Sequence, residues 1–108
     1  MRLAPIVIFT FNRLEHTKKT IEALKSNTLA IHSEIFIFSD GPRDEQEKRK
    51  VNEVRKFINS IDGFKNITII ESRENKGLAN SVINGVSEVI NKYGKVIVLE
   101  DGYQEIRV

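Results

Sequence analysis

The chain has 108 residues, of which 40% are hydrophobic and 30% charged. That is enough for one compact domain that buries roughly 60–70% of its unfolded surface. Its 17 basic and 15 acidic residues leave a net charge of +2, too small an excess to make a nucleic-acid-binding face. The absence of cysteine excludes disulfides and thiolate metal sites.

The first apolar run, Ile6-Val7-Ile8-Phe9, is β-branched and aromatic and reads as a strand. The wider stretch Leu3 to Phe11 is too short to span a bilayer. It also lacks a small-residue cleavage site, so a soluble cytoplasmic domain without a membrane span is expected. A helix follows from about Glu15 to Ser26, with Thr17, Ile21 and Leu24 on one face. Its Lys18-Lys19 pair lies beside acids and reads as a solvated face.

Ile35-Phe36-Ile37-Phe38 is the second strand. The second helix is marked by Asp44 as N-cap and by Glu47, which completes a capping box. Val51, Val54, Ile58 and Ile61 then recur at helical spacing. Lys48-Arg49-Lys50 falls on the polar face of this helix, and no aromatics are interleaved with it, so RNA recognition is not indicated. Ile67-Thr68-Ile69-Ile70 is the third strand. The third helix runs from about Leu78 to Lys92, burying Leu78, Val82, Val86, Val89 and Ile90, and Gly94 stops it. Val96-Ile97-Val98-Leu99 is the fourth strand, with Glu100-Asp101 at its end.

The order β-α-β-α-β-α-β with right-handed crossovers predicts an α/β, doubly wound and mainly parallel sheet. The near-continuous hydrophobicity of the strands suggests burial on both faces. Strand order 3-2-1-4 is expected. It puts a topological switch point between strands 1 and 4, where such sheets bind ligands at the strand carboxyl ends.

Polar loops stand at all four of those ends. Asp40 could accept hydrogen bonds from a base N–H or a ribose hydroxyl, or could simply open the turn that Gly41-Pro42 completes. Gly41 is expected to let a ligand approach the backbone. Asn75-Lys76-Gly77 precedes the third helix, whose N-terminal N–H groups suit a phosphate. Asn75 could equally be an ordinary cap. Glu100-Asp101 offers hard oxygen ligands for a divalent cation. His16 and His32 lie in no nucleophile motif and no metal-ligand spacing, and surface roles are expected for both.

Taken together, Pro5 to Arg13, Phe38-Ser39-Asp40-Gly41, Glu74 to Ser81 and Val98-Leu99-Glu100-Asp101 resemble the nucleotide-binding half of GT-A glycosyltransferases of the family 2 type. The resemblance runs from about Pro5 to Asp101. It implies that Thr10, Asn12 and Arg13 line a nucleotide pocket, with Thr10 and Asn12 near the base and ribose. Asp40 would bind the base, usually uracil in this family. Arg73, Lys76 and Gly77 would face the nucleotide and its diphosphate. Glu100 would take the first place in the D-x-D-like motif, facing ribose or metal. Gly102 stands where the motif's last acid binds Mn²⁺ or Mg²⁺, so Asp101 is left as the expected metal ligand.

The implied function is donor binding in transfer of a sugar from a UDP-type nucleotide sugar, in a role such as cell-surface polysaccharide synthesis. In the family an acceptor-binding half follows this motif. The 1–108 chain is therefore expected to be a single truncated nucleotide-sugar-binding domain, inactive alone, with strand 4 as an apolar edge that promotes a homo-oligomer. The alternative is a non-catalytic nucleotide-binding or protein-interaction module. A nucleotidyltransferase would need a glycine-rich loop after strand 1, a dinucleotide-binding domain a G-x-G-x-x-G there, and a receiver domain an acidic cluster. Thr10-Phe11-Asn12-Arg13 supplies none of these.

Overall fold

The computed structural model describes residues 3–94, 97–100 and 105–107, giving the backbone alone for residues 78–79 and for the last two segments. Its elements are β1 (Ile6–Thr10), α1 (Leu14–Lys25), β2 (Glu34–Ser39), α2 (Glu45–Ile58), β3 (Asn66–Glu71), α3 (Leu78–Tyr93), β4 (Ile97–Glu100) and β5 (Glu105–Arg107). A short 3-10 turn over Ala30–His32 precedes β2.

The sheet order is β3-β2-β1-β4-β5, which contains the expected 3-2-1-4. β1 pairs in parallel with β2 and with β4, so Ile8 stands level with Ile37 on one side and Leu99 on the other. β3 continues the parallel set beside β2, with Ile69 opposite Ile37. These registers bring the carboxyl ends of all four parallel strands to one side of the molecule.

Alternation along the central strands builds two cores. Ile6, Ile8, Ile35 and Ile37 face α1 and α2, packing on Ile21, Val54 and Ile58. Val7 and Phe9 face the other way, toward Val86 and Val89 of α3. Both faces of the sheet are thus covered, and every residue of β1 is buried. Phe9 stacks on Phe38 with ring centroids 5.2 Å apart. Gly85 lets α3 lie close over that pair, because a Cβ there would come within 2.9 Å of the Phe38 ring.

The helices start and stop for local reasons. Asp44 caps α2, its Oδ1 accepting from Glu47 N at 2.9 Å. Thr17 and Thr20 satisfy their hydroxyls within α1, donating to Arg13 O and His16 O, so both can be buried. Gly94 ends α3 in the left-handed region at φ +79, as its position predicts.

Two expectations are corrected. Burial on both faces holds for β1 but not for β3, whose residues alternate between exposed and half-buried. β3 is an edge strand, and α3 covers the second face over β1 and part of β2 but not over β3. What remains uncovered is an apolar groove floored by Phe36, Phe38 and Ile70. Nor is β4 an edge. β5 pairs with it antiparallel, setting Leu99 opposite Glu105 and Ile97 opposite Arg107. The apolar edge from which a homo-oligomer was expected is therefore covered by the chain's own residues. No helix among the described residues is long and apolar enough to cross a membrane.

Candidate functional site

The loops after β1, β2 and β3 are tied to one another at the carboxyl end of the sheet, and Asp40 is the main tie. Its backbone N–H donates to Thr10 O at 3.0 Å, extending the β1–β2 ladder by one residue. Its carboxylate then accepts three backbone N–H groups. Oδ1 takes those of Gly41 and Lys76, both at 2.9 Å. Oδ2 takes that of Gly77 at 3.0 Å. An ionised carboxylate offers about four acceptor positions. Bonds among the described residues fill three, leaving one open on Oδ2. Asp40 is thus both a turn residue and a staple to the start of α3.

Gly77 makes the staple possible. It is the N-cap of α3 with φ +79 and ψ 152, a backbone region that only glycine occupies readily. A Cβ there would meet nothing within 4 Å, so conformation and not space requires the glycine. Asn75 does not cap α3. Its Nδ2 reaches across to donate to Gly41 O at 2.9 Å.

Gly41 is needed for a different reason from the one its sequence suggests. A Cβ on it would lie 2.6 Å from Arg73 O and 2.7 Å from Glu74 O. The backbone that approaches Gly41 is the chain's own β3–α3 loop, not a ligand.

Arg55, on α2, locks the same loops from behind, and sequence reasoning missed it. Its Nε donates to Ser39 Oγ at 2.8 Å. Its Nη2 donates to Ser72 O at 2.7 Å, and to Ser39 O and Asp40 O at 3.3 Å. The guanidinium also lies 3.9 Å from Glu71 Oε1. In sequence Arg55 is one more cation in a charged helix. Its place four residues after Val51 and three before Ile58, both buried, is the signal that could have placed it against the sheet.

The loop after β1 is tied to α2 in turn. Glu47 Oε2 accepts from Asn12 Nδ2 at 3.3 Å. Arg43 grips the same carboxylate with Nε at 2.8 Å and Nη2 at 2.6 Å, and adds its backbone N–H at 3.0 Å. The capping box is therefore displaced by one residue, since Glu47 takes the N–H of Arg43 and not that of Asp44. These hydrogen bonds from the Arg43 side chain lower the Glu47 pKa to about 2, partial burial opposing them and the Arg43 backbone N–H and nearby charge assisting. The same hydrogen bond and charge raise the pKa of Arg43. The guanidinium also sits 5.5 Å from the centroid of the Phe11 ring, in cation–π range.

The other residues singled out fall into place around this frame. Thr10 is buried, and its hydroxyl donates to Phe38 O at 3.2 Å, so it is not a free hydroxyl donor. Asn12 is half-buried, whereas Arg13, Arg73 and Lys76 are exposed at the mouth of the loops. Glu100 ends β4 opposite Phe9, which brings its backbone to the same end of the sheet. Asp101 and Gly102 lie outside the described residues. Among the described residues there is no cluster of three acids or histidines able to hold a metal ion. Asp40, with its carboxylate engaged by backbone N–H groups, is not a free cation ligand. His32 lies in the 3-10 turn before β2, at the opposite end of the sheet.

The family model described as glycosyl transferase family 2 matches residues 6–101. None of the curated proteins compared with the chain matches it.

Proposed function

Since this chain belongs to glycosyl transferase family 2, whose model spans all four parallel strands, we propose that its strand-end loops bind the nucleotide of a UDP-sugar donor. The observation that carries this reading is the Asp40 carboxylate, fixed by three backbone N–H groups and open at one position beside the β1 loop. A carboxylate that is already oriented accepts a base N–H without first having to order itself. Uracil offers such a donor at N3. Cytosine presents an acceptor there, which would face Asp40 without a proton between them.

In the transfer, an acceptor hydroxyl oxygen bonds to the sugar's anomeric carbon and gives up its proton to a base, while the bond from that carbon to the diphosphate breaks and the nucleoside diphosphate departs with the electron pair. Arg73 and Lys76, both exposed on the loop before α3, would offset that negative charge. The described residues do not by themselves make a divalent-cation site, and none of these roles is routed through one. Mg²⁺ or Mn²⁺ would arrive with the diphosphate and meet Asp101 as its protein ligand. The acceptor belongs to the chemistry of cell-surface polysaccharides in this reading, and the protein works in the cytoplasm, where UDP-sugars are found.

Calorimetric titration of the full chain with UDP and with CDP, each with and without Mg²⁺, tests the reading. UDP should bind about tenfold or more tightly than CDP, in keeping with the penalty of one unpaired polar contact. Equal affinities would remove Asp40 from base recognition. Binding that Mg²⁺ leaves unchanged would remove Asp101 as a ligand while sparing the nucleotide pocket.

A further inference from the structure

We propose that Glu47 is a positioning residue for nucleotide binding: it holds the Asn12 amide with Nδ2 turned inward, so that Oδ1 is presented to the ligand and accepts from a ribose hydroxyl. The proposal rests on the nucleotide reading above and adds to it a residue of α2 that touches no ligand.

The argument begins with what Asn12 can offer. A side-chain amide has one acceptor oxygen and one donor nitrogen, related by a half-turn about the last torsion, and a free Asn can show either to a ligand. Asn12 is not free. Its Nδ2 donates to Glu47 Oε2 at 3.3 Å, and an ionised carboxylate accepts only. The reversed amide would set Oδ1 against a carboxylate oxygen, two acceptors with no proton between them. The interaction therefore selects one orientation. Among the described residues no donor is bound to Oδ1.

Glu47 is built for this task. Its side chain is only 13% exposed and is gripped in two-point fashion by Arg43. Arg43 also donates its backbone N–H to Oε1, so the carboxylate cannot swing away from Asn12. Asp44 ties the Glu47 backbone at the start of α2. The depressed pKa keeps Glu47 an acceptor at neutral pH. Arg43 lies against Phe11, the residue before Asn12, so the same pair braces the loop as well as the amide. A loop whose polar atoms are preset loses less entropy on binding than one that must choose.

The substitution Glu47→Gln separates this role from plain support. The glutamine keeps the size, and its amide oxygen, in the place of Oε1, still accepts from Arg43 Nε and the Arg43 backbone N–H, although the bond from Arg43 Nη2 to Oε2 is given up. Its own amide nitrogen then faces Asn12, where two donors would meet, and Asn12 turns to accept from it. The ligand would see Nδ2 in place of Oδ1. Asn12→Asp alone puts two carboxylates side by side. The double variant Asn12→Asp with Glu47→Gln restores a donor between them and again shows the ligand an acceptor-only oxygen.

The experiment measures affinities of the full chain and the three variants for UDP and for 2′,3′-dideoxy-2′,3′-difluoro-UDP, whose fluorines cannot donate and accept only weakly. Amide NMR spectra check that each variant folds. The unaltered chain should prefer UDP by roughly three- to tenfold, the value of one hydrogen bond. Glu47→Gln should shrink that preference, because a ribose hydroxyl can accept from Nδ2 and a fluorine can do so only weakly; Asn12→Asp should shrink it too, and the double variant should restore it. A second measurement needs no ligand: nuclear Overhauser contacts from the Asn12 side-chain amide protons to the Glu47 methylenes should be present in the unaltered chain. If UDP binds and Glu47→Gln keeps the full preference, or if those contacts are missing, the positioning role is wrong while the nucleotide site stands. If the unaltered, folded chain binds no UDP, the site reading fails and the proposal fails with it.

Discussion

Asp40 and Glu47 are both acids near strand ends, and their surroundings give them different tasks. Asp40 accepts from the chain's own backbone and keeps one position open. Glu47 is saturated by Arg43 and Asn12. That saturation has a consequence for stability. The side-chain hydrogen bonds of Arg43 bring Glu47 from an ordinary 4.5 to about 2. A carboxyl whose pKa is lower in the folded chain stabilises it fully above the unfolded value, and that contribution is lost as pH falls through the folded value. The difference in stability between the unaltered chain and Glu47→Gln should thus be constant above about pH 4.5 and shrink steadily between 4.5 and 2. Denaturant melts across that range provide the check, and a gap that stays constant down to pH 2 would mean that Glu47 is not held ionic by Arg43. At this scale the sequence revealed Asp40 as a candidate because an acid after an apolar strand is visible locally. It did not reveal what the carboxylate binds, since Lys76 and Gly77 are 36 and 37 residues away. Gly41 reads in sequence as a place for a ligand to approach, whereas the backbone that approaches it is the chain's own β3–α3 loop, a tertiary fact.

Elements were legible to the extent that their burial is simple. β1 and β2 are β-branched runs in the middle of the sheet, and their periodicity and composition agree with their place. β3 has the same composition but lies at an edge, where it is only half covered. An apolar run does not say how many neighbours a strand has. β5 is three residues, Glu105-Ile106-Arg107, with no pattern to read. The first turn of α2 displays its cap in sequence, whereas the value of Arg55 later in that helix does not show until β2 and β3 lie beneath it. Arg55 joins three elements by bonds to Ser39, Asp40 and Ser72. Arg55→Met keeps the aliphatic stem and leaves those acceptors without their donor, which should cost about 2–3 kcal/mol of unfolding free energy. Urea denaturation measures it directly. A loss below about 0.5 kcal/mol, the range of an ordinary surface change, would show that water replaces the guanidinium without cost.

For the whole molecule, the order of strands determines where function can sit. Crossovers to opposite sides of β1 leave a switch point between β1 and β4, and parallel pairing brings Thr10, Ser39, Glu71 and Glu100 to one end of the sheet. That architecture was readable from the alternation of strands and helices alone. The family match over residues 6–101 agrees with it and identifies the reaction class, which topology by itself cannot do. The central claim is that this end of the sheet is a nucleotide pocket centred on Asp40. Amide NMR of the full chain titrated with UDP tests it most directly, because the N–H groups of Gly41, Lys76 and Gly77 are themselves the partners of Asp40. Saturable shifts concentrated at those three amides and at Asn12 are the predicted result. A folded chain whose amides do not move, or move only around the groove of Phe36, Phe38 and Ile70, would contradict it.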